Sequence, residues 1–129
     1  MARPGRPAKP RPNVSKWINS FLEMMVSEKG AAQNTVAAYD RDLIHIDLFM
    51  QERGTSIDKA KSSDFKAYID NLSDTVQVKG DRKNKTTART VSRRISAARQ
   101  FYKFIISEGI REDDQGYGQQ MKEWENRHN

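Results

Sequence analysis

Residues 86–108 read TTARTVSRRISAARQFYKFIISE. Val91, Ile95, Ala98, Tyr102 and Ile105 recur there at intervals of three or four, the spacing that places side chains on one face of an α-helix. Neither proline nor glycine interrupts the run. A helix is therefore expected over about Thr86–Glu108, roughly 30 Å long at the usual rise per residue. Its remaining faces are basic. Arg82, Lys83, Lys85, Arg89, Arg93, Arg94, Arg99 and Lys103 fall between residues 82 and 103, with no acidic residue among them. One face is built to be buried and the rest to meet negative charge. A phosphate backbone is the commonest partner that rewards this layout.

Three more apolar stripes precede it. The first helix is expected over about Ser15–Lys29, with Ser15 as its cap and Trp17, Phe21, Leu22, Met25 and Val26 inward. The second starts after Asn34 or Thr35 and runs to about Arg53, with Val36, Tyr39, Leu43, Ile46, Phe49 and Met50 as its apolar positions. The third is short, from about Ser63 to Leu72, and turns Phe65, Tyr68, Ile69 and Leu72 inward. A polar loop follows to about Lys85. Val76 and Val78 alternate with polar residues in it and allow a short extended piece, but a lone strand has no partner. Gly30, Gly54, Gly80 and Gly109 read as stops between these elements. The fold class is all-α, a four-helix bundle. Phe65, Phe101, Tyr102 and the other helix-spaced aromatics are expected in its core rather than stacked on bases.

The 129 residues suit one small domain with tails. Residues 1–13 form an arm, 14–114 the domain and 115–129 a tail. All four prolines, Pro4, Pro7, Pro10 and Pro12, lie in the arm beside Arg3, Arg6, Lys9 and Arg11. Such a segment has little to bury and is expected to be disordered. Arg3-Pro4-Gly5-Arg6-Pro7 faintly resembles an AT-hook, a match that Pro4 breaks, so a basic tail adding non-specific affinity is the simpler reading. The formal net charge is +6. The excess sits in the arm and the last helix, whereas residues 14–81 and 105–129 are net acidic. Cysteine is absent, which removes disulfides and thiolate zinc sites and suits a cytoplasmic protein. No apolar run approaches membrane-spanning length, so no membrane partner is expected. In the tail, Met121 and Trp124 leave two readings open, a short docking helix or a frayed end.

Catalytic groups are sparse. Tyr117 has no histidine near it in sequence, His45 lies mid-helix between Ile44 and Ile46, and His128 is next to last. Asp40 and Asp42 read as the solvated side of the second helix, and Asp113 and Asp114 as an exposed exit loop. There is no phosphate-cradling glycine loop. No chemistry, cofactor or metal is expected of this chain itself.

Two segments resemble a known family. Asn34–Leu43, NTVAAYDRDL, looks like the opening of the second helix of tyrosine recombinases, the phage integrases and Xer recombinases. Thr90–Arg111, TVSRRISAARQFYKFIISEGIR, looks like their fourth helix, with Arg93, Ser96, Arg99 and the Phe101-Tyr102 pair in place. Arg111-Glu112-Asp113-Asp114 resembles the exit segment of the Xer group. The resemblance covers about residues 14–114. It implies a SAM-like core-binding domain that grips one face of duplex DNA, working with a catalytic domain or with other recombinase protomers. There are departures. Gln115 stands where the family usually has proline, the sequence ends at Asn129 without the catalytic arginine, histidine and tyrosine motifs, and Arg94 occupies a place more often apolar.

The expected binding residues follow from type and spacing. Arg89, Arg93 and Ser96 share a flank of the last helix, with Thr86, Thr87 and Thr90 nearby and Lys83 and Lys85 just before it. Hydroxyls and lysines hold phosphates, and arginine can also read guanine. For the threonines, helix capping is an equal alternative. Arg94 would enlarge this surface. Arg99 either joins it or pairs, like Lys103, with acids of neighbouring helices. Asn34 and Thr35 stand at the start of the second helix, where free N–H groups favour a phosphate. Arg41 is the weaker candidate, being flanked by Asp40 and Asp42. The competing reading is a stand-alone helical module whose basic helix meets an acidic protein or RNA.

Overall fold

The computed structural model describes residues 12–77 and 88–111. Four helices run through them: α1 Lys16–Lys29, α2 Gln33–Glu52, α3 Ser62–Gln77 and α4 Ala88–Ser107. Among the described residues there is no strand. The all-α expectation therefore holds. Residues 1–11 of the arm, the tail, Val78, Gly80 and the basic run before α4 lie outside the described residues.

The helices α2 and α4 form the central pair, and each packs on both α1 and α3. On α4 the expected stripe is buried throughout, and Ala97 and Phe101 widen it. Phe21 of α1 reaches the middle of the core, edge-on to the rings of Tyr39, Phe101 and Phe104 at centroid distances of 5.7, 5.9 and 5.7 Å. Phe65, Tyr68, Ile69 and Leu72 of α3 are all buried.

Three expectations are corrected. On α1 the inward residues are Ile18, Phe21 and Met25, while Val26 is 53% exposed. Residues 18, 21 and 25 lie on one helical face, and position 26 is turned about 100° from position 25. The third helix runs on to Gln77, so Val76 is helical rather than extended. No glycine or proline stands between Leu72 and Gln77, and a formed helix propagates at little cost. Finally, Asp42 is not solvated: it is 2% exposed. It lies one turn before Ile46 and beside Leu43, so helical geometry carries it to the packed face.

The ends of the helices are defined by local chemistry. Ser15 caps α1 by accepting the Trp17 N–H on Oγ, and donates the same hydroxyl to Asp58 Oδ1 at 2.8 Å. Gly30 ends α1 at φ 61°, a left-handed conformation costly for other residues. The amides of Gly30 and Ala31 fold back there onto Val26 O and Met25 O, carbonyls a plain helix end would leave open. At the start of α3, Asp64 accepts the Lys61 N–H at 3.0 Å and Arg53 Nε at 2.9 Å. The Lys61 amide is the main cause holding the Asp64 carboxyl below the usual range.

One buried carboxylate ties the bundle's connections together. Asp47, on α2, is fully buried. It accepts the amide of Ser15 at 3.1 Å, the amide of Ile57 at 2.7 Å and Gln51 Nε2 at 2.8 Å. The start of α1 and the α2–α3 connection are thereby fixed to α2. Tyr102 of α4 adds a second tie by donating its hydroxyl to the Ile57 carbonyl.

Candidate functional site

A cleft of about 770 Å³ opens between the first turns of α2 and the first half of α4. Asn34, Thr35, Ala38, Tyr39 and Asp42 line one side; Ala88, Arg89, Ser92, Arg93, Ser96 and Ala97 line the other. The alanines keep it open, because at those positions no side chain extends past Cβ. Ala32 precedes α2 and offers no side-chain acceptor to the first-turn amides. The first turn of α2, the positive end of its dipole, therefore borders a cleft that also presents two arginines and four hydroxyls.

Arg93 is held in this cleft by a two-pronged ion pair. Its Nε donates to Asp42 Oδ2 and its Nη2 to Asp42 Oδ1, both at 2.9 Å. The Asp42 side chain is 3% exposed and the Arg93 side chain 49%. The hydrogen bonding from Asp42 raises the Arg93 pKa further above its usual value. A guanidinium has five N–H groups, so three remain after this pairing.

Arg94 turns the other way. Its Nε lies 3.6 Å from Asp42 Oδ1, and its side chain is 18% exposed. Arg94 Nη1 is 3.4 Å from His45 Nε2, and His45 Nδ1 is 2.8 Å from the Tyr68 hydroxyl. An arginine can only donate, so His45 Nε2 accepts and Nδ1 carries the proton toward Tyr68 in the neutral ring. Burial and the Arg94 charge lower the His45 pKa, against a smaller opposing effect of Asp42. Burial pushes the Tyr68 hydroxyl well above its usual value. Asp42 is thus the hinge of a polar chain that runs from the cleft, through Arg94 and His45, to the core.

Of the expected binding residues, the structure brings Asn34, Thr35, Arg89, Arg93 and Ser96 into one cleft. Arg41 is exposed on α2 but does not line it, and Thr90 and Arg99 are half-buried on α4 outside it. Arg94 lies beneath, on the far side of Asp42. Lys83, Lys85, Thr86 and Thr87 fall outside the described residues. Three polar lining residues were not among the expected binding residues: Asp42, Ser92 and Tyr39, the last expected only as a core position. The signal for Asp42 was its place in the 39, 42, 43, 46 series of α2. Ser92 had none beyond its one-residue offset from Arg93. Among the described residues no group of carboxylates and histidines is arranged to hold a metal ion, and no helix is long and apolar enough to cross a membrane.

Comparison with known proteins agrees with this architecture. The family described as phage integrase, N-terminal SAM-like domain, matches residues 18–109. The tyrosine recombinase XerD of Rhizobium meliloti is 41% identical over 98 residues, covering 76% of this chain and 29% of the relative. XerD of Agrobacterium fabrum is 41% identical over 97 residues, covering 75% and 27%. XerD of Caulobacter vibrioides is 38% identical over 98 residues, covering 76% and 29%. The chain thus spans under a third of the length of the relatives it matches. No solved structure matches it.

Proposed function

The chain belongs to the phage integrase N-terminal SAM-like domain family, and on that premise we propose that it binds duplex DNA through the α2–α4 cleft. Its role would be that of a core-binding domain of a tyrosine recombinase, the activity for which its XerD relatives are named. The observation that carries this is convergence. Residues 34–35 and 89–96 are far apart in sequence, yet the fold gathers an uncapped helix start, two arginines and several hydroxyls on one open surface. Those are the groups that hold phosphates and read base edges.

In this reading the first half of α4 lies at the major groove, which is wide enough to admit an α-helix. Asn34, Thr35 and the first amides of α2 hold a backbone phosphate beside it. Arg89, Ser92 and Ser96 hold others, and Arg93 faces the base edges. Lys83, Lys85, Thr86 and Thr87, just ahead of α4 in sequence, extend the backbone contacts. Strand cleavage and joining belong to a catalytic domain or to partner recombinase protomers, and the chain itself binds without cleaving.

Fluorescence anisotropy with a labelled duplex at several salt concentrations tests this. With about five to seven phosphates contacted, log affinity against log salt falls with a slope of about −4.5 to −6. Arg93→Ala weakens binding by about 1–3 kcal/mol. Lys85→Ala weakens every sequence alike and lowers the slope by about one unit. Lys59→Ala, an exposed cation in the α2–α3 connection, changes little. Equal losses for Lys59→Ala and Arg93→Ala would mean that bulk charge alone is at work. A denaturing gel after incubation with supercoiled DNA should show no covalent adduct.

A further inference from the structure

We propose that Asp42 is a specificity-determining positioning residue: it fixes the Arg93 guanidinium so that its free edge reads a guanine. The inference rests on the α2–α4 cleft being the DNA face and adds what that face recognises.

Three observations carry it. Arg93 is bound at two points, Nε and Nη2, to both oxygens of one carboxylate. Two parallel bonds fix the plane of a guanidinium, where a single bond leaves it free to swing. The carboxylate itself is 3% exposed at the floor of the cleft, so it is held by packing and cannot follow the arginine outward. The three N–H groups left to Arg93 suffice for the paired contact with guanine O6 and N7, the commonest base-specific contact of arginine. The Arg93 side chain is half exposed and lines the open cleft.

Charge gives Asp42 a second effect. Arg93 and Arg94 both lean on it, at 2.9 and 3.6 Å. One negative charge set between two positive ones lowers the pull of this site on any phosphate. That reduces indiscriminate affinity and leaves the oriented edge of Arg93 as the attraction, which depends on the base presented. An ion pair that merely tied α2 to α4 would stabilise the bundle without affecting base choice, so the two roles separate experimentally.

The full chain is first used to select duplexes from a randomised pool. Each G·C pair of the selected duplex is then replaced by A·T, and binding is measured by anisotropy beside a scrambled duplex of equal composition. One position is expected at which the replacement weakens the wild type roughly five- to hundred-fold. In Asp42→Asn that penalty falls below about threefold, binding to the scrambled duplex holds or rises, and the salt slope steepens by about one unit. Asp42→Glu keeps the charge but displaces the guanidinium by one methylene, and also loses the penalty; it serves if Asp42→Asn does not fold. Arg93→Lys keeps the positive charge without the two-point geometry and behaves likewise. A folded Asp42 variant that melts lower yet keeps the full wild-type penalty overturns the proposal, as does a wild type indifferent to every G·C replacement. A wild type that binds no duplex at all overturns the DNA-binding reading itself.

Discussion

Replacing Asp47 by alanine removes the acceptor for three N–H groups at once. The Ile57 amide is buried and has no route to water, so it bears the full cost of an unmet donor. The Ser15 amide is partly buried. Gln51 is exposed and can turn its side chain to solvent. At about 1–3 kcal/mol for each buried donor left without a partner, the two amides imply a loss of about 2–6 kcal/mol. That is a large part of the 5–15 kcal/mol typical of a whole domain. At about 4–8 °C per kcal/mol for a domain of this size, Tm should fall by more than about 8 °C. Asp47→Asn keeps one acceptor oxygen and turns an NH₂ toward the other donors, so it should fall between wild type and alanine. Far-UV circular dichroism during urea and thermal unfolding measures both. The urea midpoint should drop in the order wild type, asparagine, alanine, with an unchanged slope against urea. An alanine variant within about 1 kcal/mol of wild type would refute the idea that this carboxylate fixes the connections.

Phe21→Ala should cost about 3–5 kcal/mol in the same assay, because it empties a fully packed ring site at the centre of the core. The His45 pKa is lowered in the folded state by burial and Arg94, so the unfolded chain binds the extra proton more readily. His45 therefore contributes its stability above the ordinary histidine pKa of about 6.5 and loses it as pH falls below that value. The urea midpoint should decline from pH 7.5 to pH 5.5, and His45→Gln should flatten that decline. An equally steep decline in His45→Gln would assign the effect to other groups.

The four helices could be read from spacing because apolar side chains report burial directly. Val91, Ile95, Ala98, Tyr102 and Ile105 have little use outside a core, and all five are buried. Val26 misled because one β-branched residue beside Met25 extends a stripe on paper while lying off the packed face of the helix. Asp42 misled for the opposite reason, and Asp47 drew no reading at all. A carboxylate reads as solvated until its partners are known, and theirs come from distant segments: Arg93 for one, Ser15 and Ile57 for the other. The site was partly readable for the same cause. Residue type singled out Arg93, Ser96, Asn34 and Thr35, but only the packing of α2 on α4 put them in one cleft and sent Arg94 behind it. The two-point hold on Arg93 had no sequence signal beyond an aspartate in helical phase with the core.

Amide chemical shifts of the ¹⁵N-labelled chain, followed as duplex DNA is added, locate the binding face residue by residue. The largest changes should fall on Asn34 and Thr35 in the first turn of α2 and on Arg89, Ser92, Arg93 and Ser96 of α4. Met24, Lys29, Lys103 and Ser107, which line a shallow depression between α1 and the far end of α4, should barely move. Lys29 and Lys103 are exposed cations there, so this end also serves as the control for bulk charge. Changes centred on that end, or small changes spread evenly over every basic residue, would contradict DNA binding through the α2–α4 cleft.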